Sequence, residues 1–181
     1  NFEDAKYLFF VRDPRDMALT WKEATVEGGV KAGASIWKTD QQGGIKAYGF
    51  LKDLERIVLV RFEDILLNSE SETRRLCTFF DLKYKDSMLR FYENDIVNKN
   101  ADHNVLGGWK DLKKPLQLSN VGRYKTELSE VEIRYIEAVC KDEMEFFGFQ
   151  CDYSQDIDLK ELEKQLPDEE DIVSPESVEL R

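Results

Sequence analysis

Arg12 and Thr20 are residues whose types and spacing suit the binding of an anion. Arg12 follows the unbroken, β-prone apolar run from Tyr7 to Val11, which is typical of a strand buried on both faces in a parallel sheet. Asp13 is a good helix cap and Pro14 suits the first helical position, so a helix is predicted to begin at Pro14. A guanidinium, a hydroxyl and the positive end of a helix then lie close together, and this combination suits a phosphate.

The turn from Arg12 to Pro14 must be positioned by a second strand and by the segment that precedes that strand. Arg56 to Phe62 is again apolar and β-prone, and helical spacing between the two strands predicts a βαβ unit with a parallel pair. Within this connection, the glycines of Glu27 to Gly33 predict a loop. Gln41 to Gly44 predicts a second break before a helix from Ile45 to Leu54.

Later segments complete the predicted α/β architecture. A helix capped by Ser71 is expected first, and a short helix from Asp86 to Tyr92 follows it. The stretch from Glu93 to Val121 is rich in Asn and Gly and predicts a long loop. The last helix has the clearest start, because Ser129 and Glu132 have the spacing of a capping box.

Composition and charge narrow the class of protein. The 181 residues, 41% of them hydrophobic, suffice for one domain with a real core, and no apolar run reaches the roughly 20 residues of a membrane span. We therefore predict a soluble protein. Residues 152–181 contain 11 acidic and 3 basic residues, so we predict an α/β domain at residues 1–151 and an acidic, largely mobile tail at residues 152–181, in which Leu159, Leu162 and Leu166 could form one or two amphipathic turns. The near-neutral domain lacks the basic stripe of a nucleic-acid binder.

The cysteines and the single histidine do not indicate a catalytic or metal centre. Cys77, Cys140 and Cys151 lack the paired spacing of metal or redox sites, which predicts structural thiols in a reducing compartment, the cytoplasm. His103 is predicted to be a surface or structural residue. Trp109, in the long loop, is predicted to anchor that loop.

Three segments resemble sulfotransferases that use 3'-phosphoadenosine 5'-phosphosulfate (PAPS). Arg12-Asp13-Pro14-Arg15-Asp16 followed by Thr20 resembles the family's 3'-phosphate-binding segment, which implies that Arg12 and Thr20 hold this phosphate. Arg61-Phe62-Glu63-Asp64-Ile65-Leu66 is similar to the family's Tyr-Glu-Asp-Leu-Leu segment, which implies that Phe62 lies near the adenine. The segment around Gly122 resembles the last cofactor element of the family. It implies further 3'-phosphate contacts from Ser119, Gly122 and Arg123.

The resemblance covers about Lys6 to Phe149 and implies the carboxyl-terminal portion of such an enzyme. The implied fold is P-loop-NTPase-like, with three layers in which helices flank a parallel sheet, and it is incomplete at the N-terminus. The implied reaction transfers a sulfuryl group from PAPS to a hydroxyl or amine of a small-molecule, carbohydrate or lipid acceptor. It leaves 3'-phosphoadenosine 5'-phosphate (PAP) and uses no metal.

The chain also departs from the family pattern. It has no counterpart of the Gly-rich phosphosulfate loop with its Lys, and no residue matches the catalytic base, so the catalytic residues are expected upstream of Asn1. We expect these 181 residues to carry the 3'-phosphate and adenosine half of the cofactor site and to be inactive alone. The candidate protein partners are a missing N-terminal segment and a second copy of the chain.

Other interpretations remain open from the sequence. Arg12 could form an ordinary ion pair with Asp16, Arg123 could pair with a nearby acid, and Phe62 could belong to the core. The whole chain could be a degenerate, non-catalytic sulfotransferase-like module that binds another protein. A nucleotide kinase is disfavoured, because no Walker-type Gly-Lys-Ser/Thr sequence occurs.

Overall fold

The structure, a computed structural model, describes residues 4–24, 28–102, 110–154 and 158–167. Predictions for His103, Trp109 and residues 168–181 lie outside these ranges. No helix among the described residues is both long and apolar enough to cross a membrane.

Helices dominate the fold, and the strands of the described residues form one small parallel sheet, so the class is α/β. Short 3-10 helices connect several of the elements. The strands and α-helices, in chain order, are β1 (Tyr7–Val11), α1 (Pro14–Glu23), α2 (Gly29–Leu51), β2 (Ile57–Arg61), α3 (Phe62–Leu67), α4 (Ser69–Phe79), α5 (Asp95–Asp102), α6 (Tyr124–Glu127), α7 (Glu130–Phe147) and α8 (Leu159–Gln165).

The predicted βαβ unit is confirmed. β1 and β2 pair in parallel, with Tyr7 opposite Ile57 and Val11 opposite Arg61. The expectation that β1 is buried on both faces is wrong for this structure, because Leu8 and Phe10 are 48% and 49% exposed. In a two-stranded sheet β1 has one strand neighbour, and the described residues leave this part of its surface uncovered.

The turn between β1 and α1 forms as predicted. Asp13 caps the helix, its Oδ1 accepting the backbone N–H of Arg15 at 2.9 Å, and Pro14 begins the helix. Pro14 has no backbone N–H, so one amide fewer at the start of α1 needs a hydrogen-bond partner.

The predicted break at Gln41 to Gly44 is wrong, because α2 runs unbroken from Gly29 to Leu51. Two of its glycines, Gly33 and Gly44, allow close packing instead of ending the helix. A Cβ on Gly33 would lie 2.9 Å from the Ala18 Cα of α1, and one on Gly44 would lie 2.3 Å from the ring of Phe9. Packing of a long helix on its neighbours thus overrides the weak local preference of glycine.

The core lies where α1, α2 and α7 meet the inner face of β1. Ile136, Cys140 and Met144 of α7 are fully buried there. The predicted capping box is confirmed, with the Ser129 N–H donating to Glu132 at 2.8 Å, and α7 ends at Gly148, whose φ is 76°.

Three further expectations need correction. Asn68, not Ser71, precedes α4, and the Ser71 hydroxyl donates back to the Asn68 carbonyl. The predicted loop from Glu93 to Val121 contains the helix α5 and short 3-10 segments. Part of the tail is folded, because α8 buries Leu162 in the core.

Candidate functional site

The carboxyl ends of the two strands lie side by side, since Val11 pairs with Arg61. Arg12 and Phe62, the next residue of each chain segment, therefore leave the sheet at neighbouring positions. In open α/β sheets ligands bind outside the carboxyl ends of the strands. Arg12 and Phe62 thus lie at the carboxyl end of this sheet.

Arg12 makes contacts on several sides at this edge. Its guanidinium lies over the Phe62 ring at 4.8 Å, and its Nη2 donates to the Asn120 carbonyl at 2.9 Å. Nη2 also lies 4.0 Å from Oδ2 of Asp16, so the alternative ion pair is present as a long contact. The Nε of Arg12 is buried and has no hydrogen-bond partner within the described part of the chain.

The segment from Leu118 to Tyr124 packs beside Arg12 through Asp16. The backbone N–H of Gly122 donates to Asp16 Oδ2 at 2.8 Å, and that of Tyr124 donates to Oδ1 at 3.0 Å. Gly122 has a φ of 72°, a conformation that favours glycine. The structure therefore brings Gly122 close to Arg12, while Ser119 of this segment is exposed.

Thr20 lies on the face of α1 that meets this segment. It follows Asp16 by four residues and precedes Glu23 by three, so all three lie on one side of the helix. Asp16 binds Gly122 and Glu23 binds Arg123, which places Thr20 between the two contacts. Its hydroxyl donates to the Asp16 carbonyl at 2.9 Å, and the residue is exposed.

Arg123 is engaged by two acids, as in the alternative interpretation of this residue. Its Nε and Nη2 donate to Glu127 at 2.9 and 2.8 Å, and Nη1 donates to Glu23 at 3.2 Å. These hydrogen bonds, first from Glu127 and then from Glu23, raise the pKa of Arg123. A phosphate bound here must therefore compete with two carboxylates for one guanidinium.

The sequence analysis missed a buried ion network centred on Arg15. This side chain donates to Asp13 Oδ2 at 2.7 Å and to Glu137 Oε1 at 2.6 Å, and it lies over the Tyr124 ring at 4.1 Å. Burial opposes the charged guanidinium, but the carboxylates, Asp13 above all, raise the Arg15 pKa. The network fastens the start of α1 to α7. The closeness of Asp13 and Arg15 in the sequence was the signal from which an ion pair could have been predicted.

Beside this network lies a cleft of about 290 Å³, lined in part by Arg61, Glu63, Tyr124 and Asp152. Oε1 of Glu63 accepts the backbone N–H of Asp13 at 2.9 Å, which holds the turn before α1 against the start of α3. Burial raises the pKa of Glu63. This glutamate therefore has a structural role at the turn.

The described residues contain no group of three or more His, Cys, Asp or Glu side chains that could hold a metal ion. The anion-binding donors at the carboxyl end of β1 are the guanidinium of Arg12 and the backbone amides at the start of α1. Such donors bind anions and stabilise negative charge.

Comparison with known proteins identifies the first part of the chain. The profile of the sulfotransferase family matches residues 1–86, which confirms the resemblance seen in the motifs over these residues. The matched range includes Arg12, Thr20 and Phe62 and ends before Ser119 to Arg123. No curated protein and no solved structure matches the chain.

Proposed function

We propose, from the match of residues 1–86 to the sulfotransferase family, that the chain takes part in sulfuryl transfer from PAPS to a hydroxyl or amine acceptor and binds the 3'-phosphate and adenosine part of the donor. Arg12 and Thr20 hold the 3'-phosphate, with Gly122 and its neighbours Ser119 and Arg123 as further contacts. Phe62 lies beside the adenosine. The acceptor is a small molecule, a carbohydrate or a lipid.

The observation that carries this proposal is the position of Arg12. It stands at the end of β1, directly before the N-terminus of α1, inside the range that matches the sulfotransferase family. Its buried Nε lacks a hydrogen-bond partner within the described ranges, so the guanidinium keeps a donor that no described group uses. The nearby helix N-terminus adds a favourable potential for negative charge.

The finer parts of the proposal follow from the same resemblance. We place these strands and helices in a P-loop-NTPase-like sheet, within a domain at residues 1–151 followed by the tail at residues 152–181. The printed sequence has no Gly-rich loop with a Lys for the transferring group, so we expect the 181 residues alone to transfer no sulfuryl. The free state of Cys77, Cys140 and Cys151 agrees with a reducing, cytoplasmic location.

The test is a calorimetric titration of the 181-residue chain with PAP and, separately, with AMP, which lacks the 3'-phosphate. We expect tighter binding of PAP than of AMP. Arg12→Ala should lower the affinity for PAP by at least about tenfold and leave that for AMP little changed, because a charge-assisted contact to the 3'-phosphate is lost.

Arg74→Ala is the matched control. Arg74 also lies over an aromatic ring, that of Tyr84 at 3.8 Å, and pairs with the acid Glu70, but it belongs to α4. The Arg74→Ala variant should leave the affinities for PAP and AMP unchanged. Equal binding of PAP and AMP, or no binding of either, would reject the proposed site.

A non-catalytic, sulfotransferase-like module is the second candidate. The observation in its favour is Arg123, whose guanidinium is bound by Glu127 and Glu23 and not left open for a ligand. The same titration separates the two candidates, because a module that has lost the donor site has no reason to prefer PAP.

A further inference from the structure

Asp16 is the most deeply buried carboxylate of α1, with its side chain 0% exposed. A buried carboxylate is costly unless hydrogen bonds or charges compensate it. The partners of Asp16 come from outside its own helix turn. They are the backbone amides of Gly122 and Tyr124, at 2.8 and 3.0 Å, and the guanidinium of Arg12 at 4.0 Å.

The two backbone contacts join parts of the chain that lie more than a hundred residues apart. Each oxygen of the carboxylate accepts one backbone N–H, which fixes both the position and the direction of the Gly122 to Tyr124 turn. The φ of 72° at Gly122 belongs to the same turn. Asp16 therefore fastens this segment to α1 by two points.

The same carboxylate acts on Arg12 in two ways. It lies 4.0 Å from Nη2 and supplies a counter-charge. It also holds the segment that contains Asn120, whose carbonyl accepts a hydrogen bond from the same Nη2 at 2.9 Å. The guanidinium of Arg12 also lies over the Phe62 ring, 4.8 Å from the ring centre, which further restricts its position.

We infer that Asp16 is a positioning residue of the donor site: it holds Arg12 and the Asn120 to Tyr124 segment in one arrangement, so that both contact the same 3'-phosphate. This inference rests on the proposed function. Asp16 itself touches no ligand, because its two oxygens are occupied by backbone amides and shielded from solvent.

Asp16→Asn tests the inference with little change of shape. One oxygen can still accept an N–H, but the new amide group places a donor against the other N–H and removes the charge near Arg12. Amide hydrogen exchange at Gly122 or Tyr124 should become faster. The affinity for PAP should fall about tenfold, while that for AMP changes little.

The double variant Arg12→Ala with Asp16→Asn provides a sharper measurement. Because Asp16 positions Arg12 as well as the Asn120 to Tyr124 segment, the loss of PAP affinity in the double variant should be smaller than the sum of the two single losses, since one of the positioned groups is already absent. A role confined to folding would make the two losses independent and additive.

Glu132→Gln is the matched control. Glu132 is buried to a similar degree, also accepts a backbone N–H and also pairs with a cation, Lys22, at 2.7 Å, but it caps α7. It should lower stability without changing the preference for PAP over AMP. The melting curves of all variants show how much of each protein is folded.

The outcomes distinguish this inference from the function on which it rests. If the parent chain prefers PAP and Asp16→Asn keeps this preference, or loses PAP and AMP affinity equally, the positioning role is rejected and the function stands. If the parent chain does not distinguish PAP from AMP, the proposed function fails and the nucleotide role of Asp16 fails with it. Unchanged exchange at Gly122 and Tyr124 would reject the fastening itself.

Discussion

Glu23 and Glu127 hold the guanidinium of Arg123, the residue that the sequence resemblance assigns to the 3'-phosphate. The hydrogen bonds of Arg123 lower the pKa of Glu127. The position of Arg123 in the sequence is compatible both with ligand binding and with pairing to acidic residues. The partner Glu23 lies a hundred residues away in the sequence.

We predict that Glu23→Gln raises the affinity for PAP about two- to fivefold, because it frees one side of Arg123 and removes a negative charge from the site. Calorimetric titration measures the change, which should shrink as the salt concentration rises. Glu130→Gln, which removes an acid paired with Arg134 on α7, is the control for a general charge effect. Equal gains from both variants would refute a specific role of Glu23.

The helix α2 shows how packing decides the form of an element. Its glycines at positions 33, 43 and 44 predict breaks, yet the helix is continuous. Gly33 and Gly44 lie in close contacts with Ala18 and Phe9, whereas a Cβ on Gly43 would meet nothing within 4 Å. All three glycines therefore adopt a helical conformation against their local preference, and at Gly33 and Gly44 close packing accounts for it.

This contrast predicts opposite effects of the same substitution within one helix. Gly33→Ala should lower the free energy of unfolding by about 1–3 kcal/mol, because the new methyl group would press on the backbone of α1. Gly43→Ala should raise it by up to about 1 kcal/mol through helix propensity alone. Denaturant unfolding measures both. Changes of the same sign would contradict the continuous, closely packed α2.

At the scale of the whole molecule, part of the acidic tail packs on the rest of the fold, although the composition of the tail suggests a mobile segment. In α8, Leu162 and the following Leu166 are 3% and 7% exposed and belong to the core, whereas Leu159 is 36% exposed. An amphipathic turn with this spacing buries its apolar side against α7 although most of its other residues are charged or polar.

We expect Leu162→Ala to lower the free energy of unfolding by about 2–5 kcal/mol, up to the full docking energy of α8, because a buried leucine leaves a cavity. Leu159→Ala in the same helix should cost less than about 1 kcal/mol. Denaturant unfolding compares the two. A Leu162→Ala protein as stable as the Leu159→Ala protein would show that α8 does not dock in solution.

The amino-acid sequence by itself determined the features whose causes lie within a few residues. The apolar runs of β1 and β2, the Asp13-Pro14 start of α1 and the capping box of α7 all formed as predicted, since strand propensity and helix caps act locally. The same local motifs carried the family resemblance, which the profile match confirms over residues 1–86.

Only the tertiary structure decided the features whose causes join distant residues. The continuity of α2 depends on its contacts with α1 and β1, and the exposure of Leu8 and Phe10 depends on which strands adjoin β1. Arg123 meets Glu127 within four residues, but its contact with Glu23 and the fastening of Gly122 by Asp16 join residues about a hundred positions apart in the chain. Burial and pairing of this kind are properties of the packed molecule, so no spacing in the sequence could reveal them.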